Sequence, residues 1–273
     1  MANLRYLTLN LALTATLSAS PAVLATFPQA NMARQERTLV CRTLDGSIQQ
    51  LKYSWSTNQS INMAALWYHN LTSASTWRVQ IYSDSAFTTQ IYDSGTVNAF
   101  GYTGISANAQ QTSDEFRIFK SSAIYFALLT TAKSMVISVT DTGNASGYME
   151  FSHAFVGKYA ELSSQPAWGG ATAQVVNTTI NERSDDMSNI SDKGGAFIKI
   201  EINHDFLLAA DREDLETAMA EVGRDKLIWV SIYPGDGTAI EMRHQHAVKI
   251  ADSSPLDAYQ FGTLKVRLML DGN

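Results

Sequence analysis

The chain has 273 residues, of which 45% are hydrophobic and 17% charged, with a formal net charge of -6. The charged share is well below the usual quarter. No basic patch stands out, which excludes recognition of a nucleic-acid phosphate backbone. A single cysteine, Cys41, excludes an intramolecular disulfide framework, so the fold must rest on packing. Within Thr38-Leu39-Val40-Cys41 it reads as a small buried residue rather than a reactive thiol. No apolar run is long enough to span a membrane.

In chain order, Met1–Phe27 carries two overlapping signals. Arg5, abundant Leu and Ala, and the stretch Ala22-Val23-Leu24-Ala25 resemble an export signal. Against this, Leu7, Leu9, Leu11, Leu13 and Leu17 occupy odd positions with Thr, Asn or Ala between them, the period of a half-buried strand. An opening strand is therefore expected, broken at Ser20-Pro21 and followed by a connecting segment, Pro28–Arg34. Short strands then recur about every ten residues: Thr38–Thr43, Ile48–Trp55, Met63–Trp67, Thr76–Tyr82, Thr89–Tyr92, Glu115–Phe119, Ile124–Leu129 and Ser134–Thr140. Turn residues separate them at Asp45-Gly46, Asn58-Gln59, Ser83-Asp84, Ser94-Gly95 and Thr142-Gly143-Asn144. Strand character continues from Gly147 to Tyr159, and Trp77, Val79 and Ile81 share one face. This spacing predicts a sandwich or jelly roll.

Ser163–Gly170 reads as a boundary, and Asn181–Gly195, with Asp185-Asp186 and Gly194-Gly195, as an exposed loop or arm. One helix is predicted. Asp211 is placed at its N-cap, Leu215, Met219 and Val222 form one apolar stripe, and Gly223 ends it. Leu227–Tyr233, a hairpin turn at Pro234-Gly235-Asp236-Gly237, Thr238–Met242 and Phe261–Leu270 complete the strands. The expected organisation is mainly β: an N-terminal strand and connector over 1–34, a jelly-roll or galactose-binding-like β-sandwich over 35–160, and a second β domain over 161–273 with a packed helix at 211–222.

The chemical motifs are few. There is no P-loop, dinucleotide fingerprint, kinase set, nucleophile elbow or HExxH. No catalytic, cofactor-binding or metal residue is assigned, and no cofactor is expected. His244 and His246 fall on one strand face and could grip a metal, but a third ligand is missing because Glu241 falls on the other face; a solvated strand is the plainer reading. Asp141 and Asn144, in Asp141-Thr142-Gly143-Asn144, could seat Ca²⁺, but lack the EF-hand pattern and suit a tight turn. Asp185-Asp186 and Asp211-Arg212-Glu213-Asp214 read as solvated loop and helix cap. Trp55, Trp67, Tyr68, Trp77, Tyr82 and Tyr92 crowd the first domain. They are either its core or, where exposed, platforms for sugar rings.

The order of several segments resembles virion structural proteins of siphovirus-type tailed phages. The matching residues are Ala2-Asn3-Leu4-Arg5-Tyr6, then Phe27-Pro28-Gln29-Ala30-Asn31-Met32, similar to that family's P-x-x-N-L entry. Next come His69-Asn70-Leu71-Thr72, Thr76-Trp77-Arg78-Val79, Tyr92-Asp93-Ser94-Gly95, Gly147-Tyr148-Met149-Glu150 running into Phe155-Val156-Gly157-Lys158-Tyr159, and Asp211-Arg212 with its helix. After Tyr159 the family has a Pro-Asn-Tyr-Gly type segment, where this chain has Gln165-Pro166-Ala167-Trp168-Gly169. The resemblance implies a non-enzymatic, distal-tail-like component of the tail tip or baseplate, assembled in the bacterial cytoplasm. Its expected partners are copies of itself in an oligomeric ring and the tube, hub, tape-measure and fibre proteins. Low charge suits such permanent interfaces, with the opening strand and the 181–195 arm as expected contacts. The alternative is a carbohydrate-binding module that recognises host surface glycans. An exported glycan hydrolase is the third reading.

Overall fold

The computed structural model describes residues 3–34, 36, 38–99, 121–165, 171–177, 180–183, 189–192, 196–223, 226–235, 241, 244–253, 257–258 and 264–272. The chain is mainly β and forms two compact units. The first comprises Met1–Glu161 and Ile228–His246, the second Leu162–Leu227 and Ala247–Asn273.

The first unit is an antiparallel sandwich. Its strands are β1 (Arg5–Leu7), β2 (Thr16–Ser20), β3 (Cys41–Arg42), β4 (Gln49–His69), β5 (Thr76–Tyr82), β6 (Gln90–Asp93), β7 (Val97–Asn98), β8 (Ser121–Thr140), β9 (Glu150–Gly157) and β10 (Ala160–Glu161). β4 and β8 span 21 and 20 residues and pair along both halves, so each serves two layers. In one layer, β2 flanks the first half of β4, and β5, with β6 and β7, flanks the second half of β8. In the other, β9 and then β3 flank the second half of β4. Three register shifts in the β4–β8 ladder, between Ser54 and Met63, make the crossing, because bulges bend a strand without ending it. The polar run at Asn58-Gln59 is thus part of one long strand, and not the turn that it suggests in sequence.

Alternation explains the core. Leu51, Tyr53 and Trp55 on β4, Trp77, Val79 and Ile81 on β5, and Met135, Ile137 and Val139 on β8 point inward from the first layer. They meet Ala64, Leu66, Ala154 and Val156 from the second. Each large side chain so buried contributes about 1.5–3 kcal/mol. The second layer is covered on its outer side as well. Residues 61–67 and 151–157 are buried without a break, the near-continuous pattern of a strand with two packed faces. Leu4, Leu7 and, from β15 (Ile228–Ser231), Trp229 are buried in the same unit. β1 lies between β10 and β15. The Trp229 ring sits 5.5 Å from that of Phe155, and its Nε1 donates to Tyr125 Oη at 3.2 Å. Gly157 is required there: a Cβ would meet Leu9 O at 2.7 Å and Leu7 Cδ1 at 2.8 Å.

The opening segment departs from the expected single strand. A 3₁₀ turn at Leu11–Leu13 separates β1 from β2. Buried Asn10 causes the break. Its Oδ1 accepts from Ala12 N and Val156 N, both at 3.1 Å, and its Nδ2 donates to Ala154 O at 2.8 Å. The period of two therefore does not define one face: Leu7 and Leu11 are buried, whereas Leu9 and Leu13 are 64% and 37% exposed.

His153, on β9, is 1% exposed with Nδ1 2.6 Å from Ser152 Oγ. Burial pushes its pKa from 6.5 down to about 4, with the Arg34 backbone and Glu36 pulling the other way. The unfolded chain takes up a proton near pH 6.5 that the folded chain refuses until about pH 4. Stability is therefore expected to fall as pH drops through that window, by up to about 3 kcal/mol. Melting curves at pH 7, 5.5 and 4 for the wild type and His153→Gln check this; equal pH slopes would contradict it.

In the second unit, β11 (Ala171–Asn177), β14 (Ala196–Leu207), β18 (Leu264–Gly272) and β16 (Gln245–Ser253) pair in that order, with β17 (Asp257–Ala258) on β18. β12 (Ile180–Arg183) and β13 (Asn189–Asp192) pair as a two-stranded ribbon where a loop or arm is expected; Asp185-Asp186 and Gly194-Gly195 lie outside the described residues. Helix α1 covers Ala209–Val222, starting two residues before the predicted cap, with Leu208 at the N-cap. Asp211 is thus a first-turn residue, accepting from Ser163 N at 3.1 Å and from Ser163 Oγ. Leu215 and Val222 are buried, and Gly223 ends the helix at φ 67°. The strands expected at Glu115–Phe119 and Thr238–Met242 (apart from Glu241) and the start of that at Phe261 lie outside the described residues.

Candidate functional site

The outward face of the first layer carries cross-strand rows of polar residues. Pairing aligns Thr16, Ser54, Ser134, Tyr82 and Gln90 in one row, Ser18, Lys52, Val136, Gln80 and Asp93 in the next, and Ser20, Gln50, Ser138 and Arg78 in a third. Val136 and Ser138 are buried, so the longer neighbours Gln50, Lys52, Arg78 and Gln80 stand over a floor on the central strand. Gln80 Nε2 donates to Gln90 Oε1 at 2.8 Å.

The loop joining β5 to β6 closes one end of the first row. Asp84 organises it. Oδ1 accepts from Ala86 N (2.8 Å) and Thr88 N (3.1 Å), Oδ2 from Thr89 N (2.6 Å), and Ser134 Oγ donates to the Asp84 carbonyl at 2.6 Å. These amide donors hold the Asp84 carboxyl low, at about 2. The cinched loop places Phe87 at φ 61°, the left-handed region that a bulky L-residue rarely enters. Its ring stands edge-on to Tyr82, centroids 5.8 Å apart at 73°. Both rings are half-buried.

Beside this corner Arg78 and Asp93 offset each other's charge. Arg78 Nε donates to Asp93 Oδ1 at 2.8 Å and Nη2 to Oδ2, while Gly95 N also donates to Oδ1 at 2.8 Å. Arg78 comes first among the groups that hold Asp93 at about 2. The surface can thus offer a rigid aromatic edge, amide groups and hydroxyls, and among its described residues no nucleophile–base pair or acid–base dyad is formed.

The residues weighed in sequence fall elsewhere. Trp55, Trp67 and Trp77 are buried, and Trp55 Nε1 donates to Leu11 O at 2.9 Å. Tyr92 stacks on Phe126 at 4.4 Å and 25° against the core; Tyr82 alone of the six lies on the polar face. Cys41 is buried, which pushes its thiol up to about 12. His246 is buried on β16, whereas His244 precedes that strand with its ring edge-on to Tyr233 at 5.0 Å, so the two do not share a strand face. Among the described residues no three His, Cys, Asp or Glu gather to hold a metal. Asp141 and Asn144 form a turn. Asp141 Oδ2 accepts from Thr72 N (2.8 Å) and Asn144 Nδ2 (3.1 Å), and Oδ1 from Thr72 Oγ1 (2.6 Å), which occupies the oxygens a Ca²⁺ would use. Asn144 Nδ2 also donates to Asn70 O at 3.0 Å.

Phe87 is absent from the sequence reading. Asp84, followed by Ser85-Ala86-Phe87 and then Thr88-Thr89, was the available signal: an Asp side chain that captures nearby amides builds a tight loop. Nothing in the sequence marks which loop residue takes positive φ.

Fold and surface together define a β-sandwich protein with one α-helix among its described residues and a polar sheet face. Among solved structures, it is similar to chitosan-binding module 1 from the chitosanase/glucanase of Paenibacillus sp. IK-5, at 20% identity over 55% of this chain and 99% of that one, with a TM-score of 0.39. It is also similar to the Streptococcus pneumoniae fucose binding module SpX-3 (12% identity, 56% and 99% covered, TM-score 0.37). A third likeness is to the CBM32 of AlyQ, solved in complex with 4,5-unsaturated mannuronic acid (19% identity, 52% and 92% covered, TM-score 0.34). No family model and no curated protein matches the chain. The sandwich is defined by its own strand pairing, independently of these likenesses.

Proposed function

We propose that the chain is a non-catalytic attachment protein whose first unit binds carbohydrate through Tyr82, Phe87 and the polar rows beside them. Phe87 carries the reading. Its backbone conformation costs about 1–2 kcal/mol, and the structure maintains it with three amide bonds to Asp84. Strain held by an over-determined loop marks a place where geometry serves recognition. A fixed aromatic ring suits the C–H face of a sugar, and neighbouring amides suit its hydroxyls.

On a glycan array the purified chain is expected to bind a defined set of glycans saturably. Phe87→Ala is expected to weaken that binding about tenfold, or ~1.4 kcal/mol. Phe87→Gly should weaken it equally while melting near the wild-type temperature, since glycine relieves the positive φ as the Tyr82 contact is lost. An array with no signal removes the proposal.

A second reading places this unit at a phage tail tip, in a ring of copies that joins tube, hub, tape-measure and fibre proteins. Its support is the sequence resemblance, several of whose residues fall at joints of the first unit. Asn31 Nδ2 donates to Val40 O at 2.9 Å, Asn70 Nδ2 to Tyr148 O at 3.0 Å, Glu150 N to Asn70 Oδ1 at 2.7 Å, and Arg78 grips Asp93. Mass spectrometry of purified particles decides: the chain at a fixed multiple of the tube protein supports this placement, and its absence overturns it.

A further inference from the structure

We infer that the ligand of the polar face is a neutral glycan, neither anionic nor cationic; this rests on the carbohydrate-binding reading above. Among the described residues, the Arg78 and Asp93 charges flanking the aromatic corner are paired with each other, and the Asp84 carboxylate is held by backbone amides. Arg78 is held in a two-point pair by Asp93, so an anionic sugar would have to break that pair and would approach the Asp84 and Asp93 carboxylates. A cationic sugar finds little open acceptor capacity on those carboxylates, since Asp84 already accepts three backbone amides at its roughly four lone-pair positions. Asp93 accepts from Arg78, Gly95 N and, at 3.4 Å, Gln90 Nε2. Lys52 is the remaining cation of the rows. Val136 stands between it and Gln80, so it lies two strand spacings from β5, roughly 10 Å and about one screening length away at 0.1 M salt.

What stays available is uncharged. Gln80 gives Nε2 to Gln90 Oε1, which leaves the Gln80 Oε1 lone pairs as acceptor and an outward Nε2 hydrogen as donor. A sugar hydroxyl both donates and accepts, and matches that amide edge. Ser54 and Thr16, in the row of Tyr82, extend it with hydroxyls.

Isothermal titration of the full chain with three size-matched oligosaccharide classes tests this: neutral hexose, uronate-containing and glucosamine-containing, each at 50 and 500 mM NaCl. The neutral class is expected to bind, with affinity changing less than twofold between the salts, and both charged classes at least tenfold more weakly. Gln80→Ala is expected to weaken neutral binding several-fold without changing the melting temperature. Tighter binding of either charged class, or a tenfold loss at high salt, overturns neutrality while leaving carbohydrate binding intact. Neutral binding indifferent to both Gln80→Ala and Phe87→Ala overturns the site. No heat with any class overturns the carbohydrate reading itself.

Discussion

Deletion of residues 1–20 is expected to leave the first unit without a cooperative fold. Those residues supply Leu4, Tyr6, Leu7, Leu11 and Ala12 to the interior, all less than 9% exposed. They also provide β1, which bridges β10 and β15, and β2, which pairs with β4 from Thr16↔Ser54 to Ser20↔Gln50. Three leucines alone represent roughly 5–9 kcal/mol of burial at 1.5–3 kcal/mol each. Losing them also removes the strand paired with β15 at Trp229 and strands the Trp55 indole, whose acceptor is Leu11 O. A domain's whole margin is about 5–15 kcal/mol. The expected result is a flat near-ultraviolet dichroism spectrum and rapid proteolysis of the first unit; a sharp melt like that of the full chain would sink the argument. The residues with export-like composition are thus also a structural part of the sandwich.

Asp141→Ala is the second large effect, with an expected loss of about 3–5 kcal/mol. Asp141 is 2% exposed and closes the junction between the β4–β5 and β8–β9 connections. Removing its carboxylate orphans the Thr72 amide and hydroxyl and one Asn144 donor, and hydrogen bonds to an ionised group are worth roughly 1.5–3 kcal/mol each. The backbone amide of Asp141 still donates to Gly46 O at 2.9 Å, which limits the damage to the side chain's share. Urea unfolding of wild type and variant gives the difference directly, and a change below 1 kcal/mol would refute the assignment. Calcium or a chelator is expected to leave the wild-type melting temperature where it is, because the carboxylate is already satisfied.

Much of the sandwich could be read from the chain. The face Trp77-Val79-Ile81 is buried as its alternation requires, and α1 ends at Gly223 as the C-terminal glycine predicts. Long-range hydrogen bonding hid the rest. Nothing local in Leu7–Leu17 reveals that Asn10 reaches Ala154 and Val156, more than 140 positions away, and so turns a regular period into a strand, a turn and another strand. β4 looked like two strands because its solvent-facing middle is polar, the composition of a turn, and β8 because Thr130-Thr131 and Lys133 interrupt its apolar run; the bulges that keep the two strands paired depend on the partner strand. In the candidate site, Tyr82 could be seen as an outward aromatic. The Arg78–Asp93 pair could not be matched across a hairpin without its register, and Phe87 depends on a backbone angle that only the folded loop displays.

The discontinuity of the first unit bears on how the protein is made. Its β1 needs β15, but residues 162–227 of the second unit lie between β10 and β15 in the chain. A ribosome therefore releases the whole opening sandwich, and much of the second unit, before Trp229 exists to cover Phe155 and Leu7. Domains generally fold in the order they emerge. Here the first to emerge is among the last to be completed, and through synthesis its second layer carries an uncovered apolar face that a chaperone can hold.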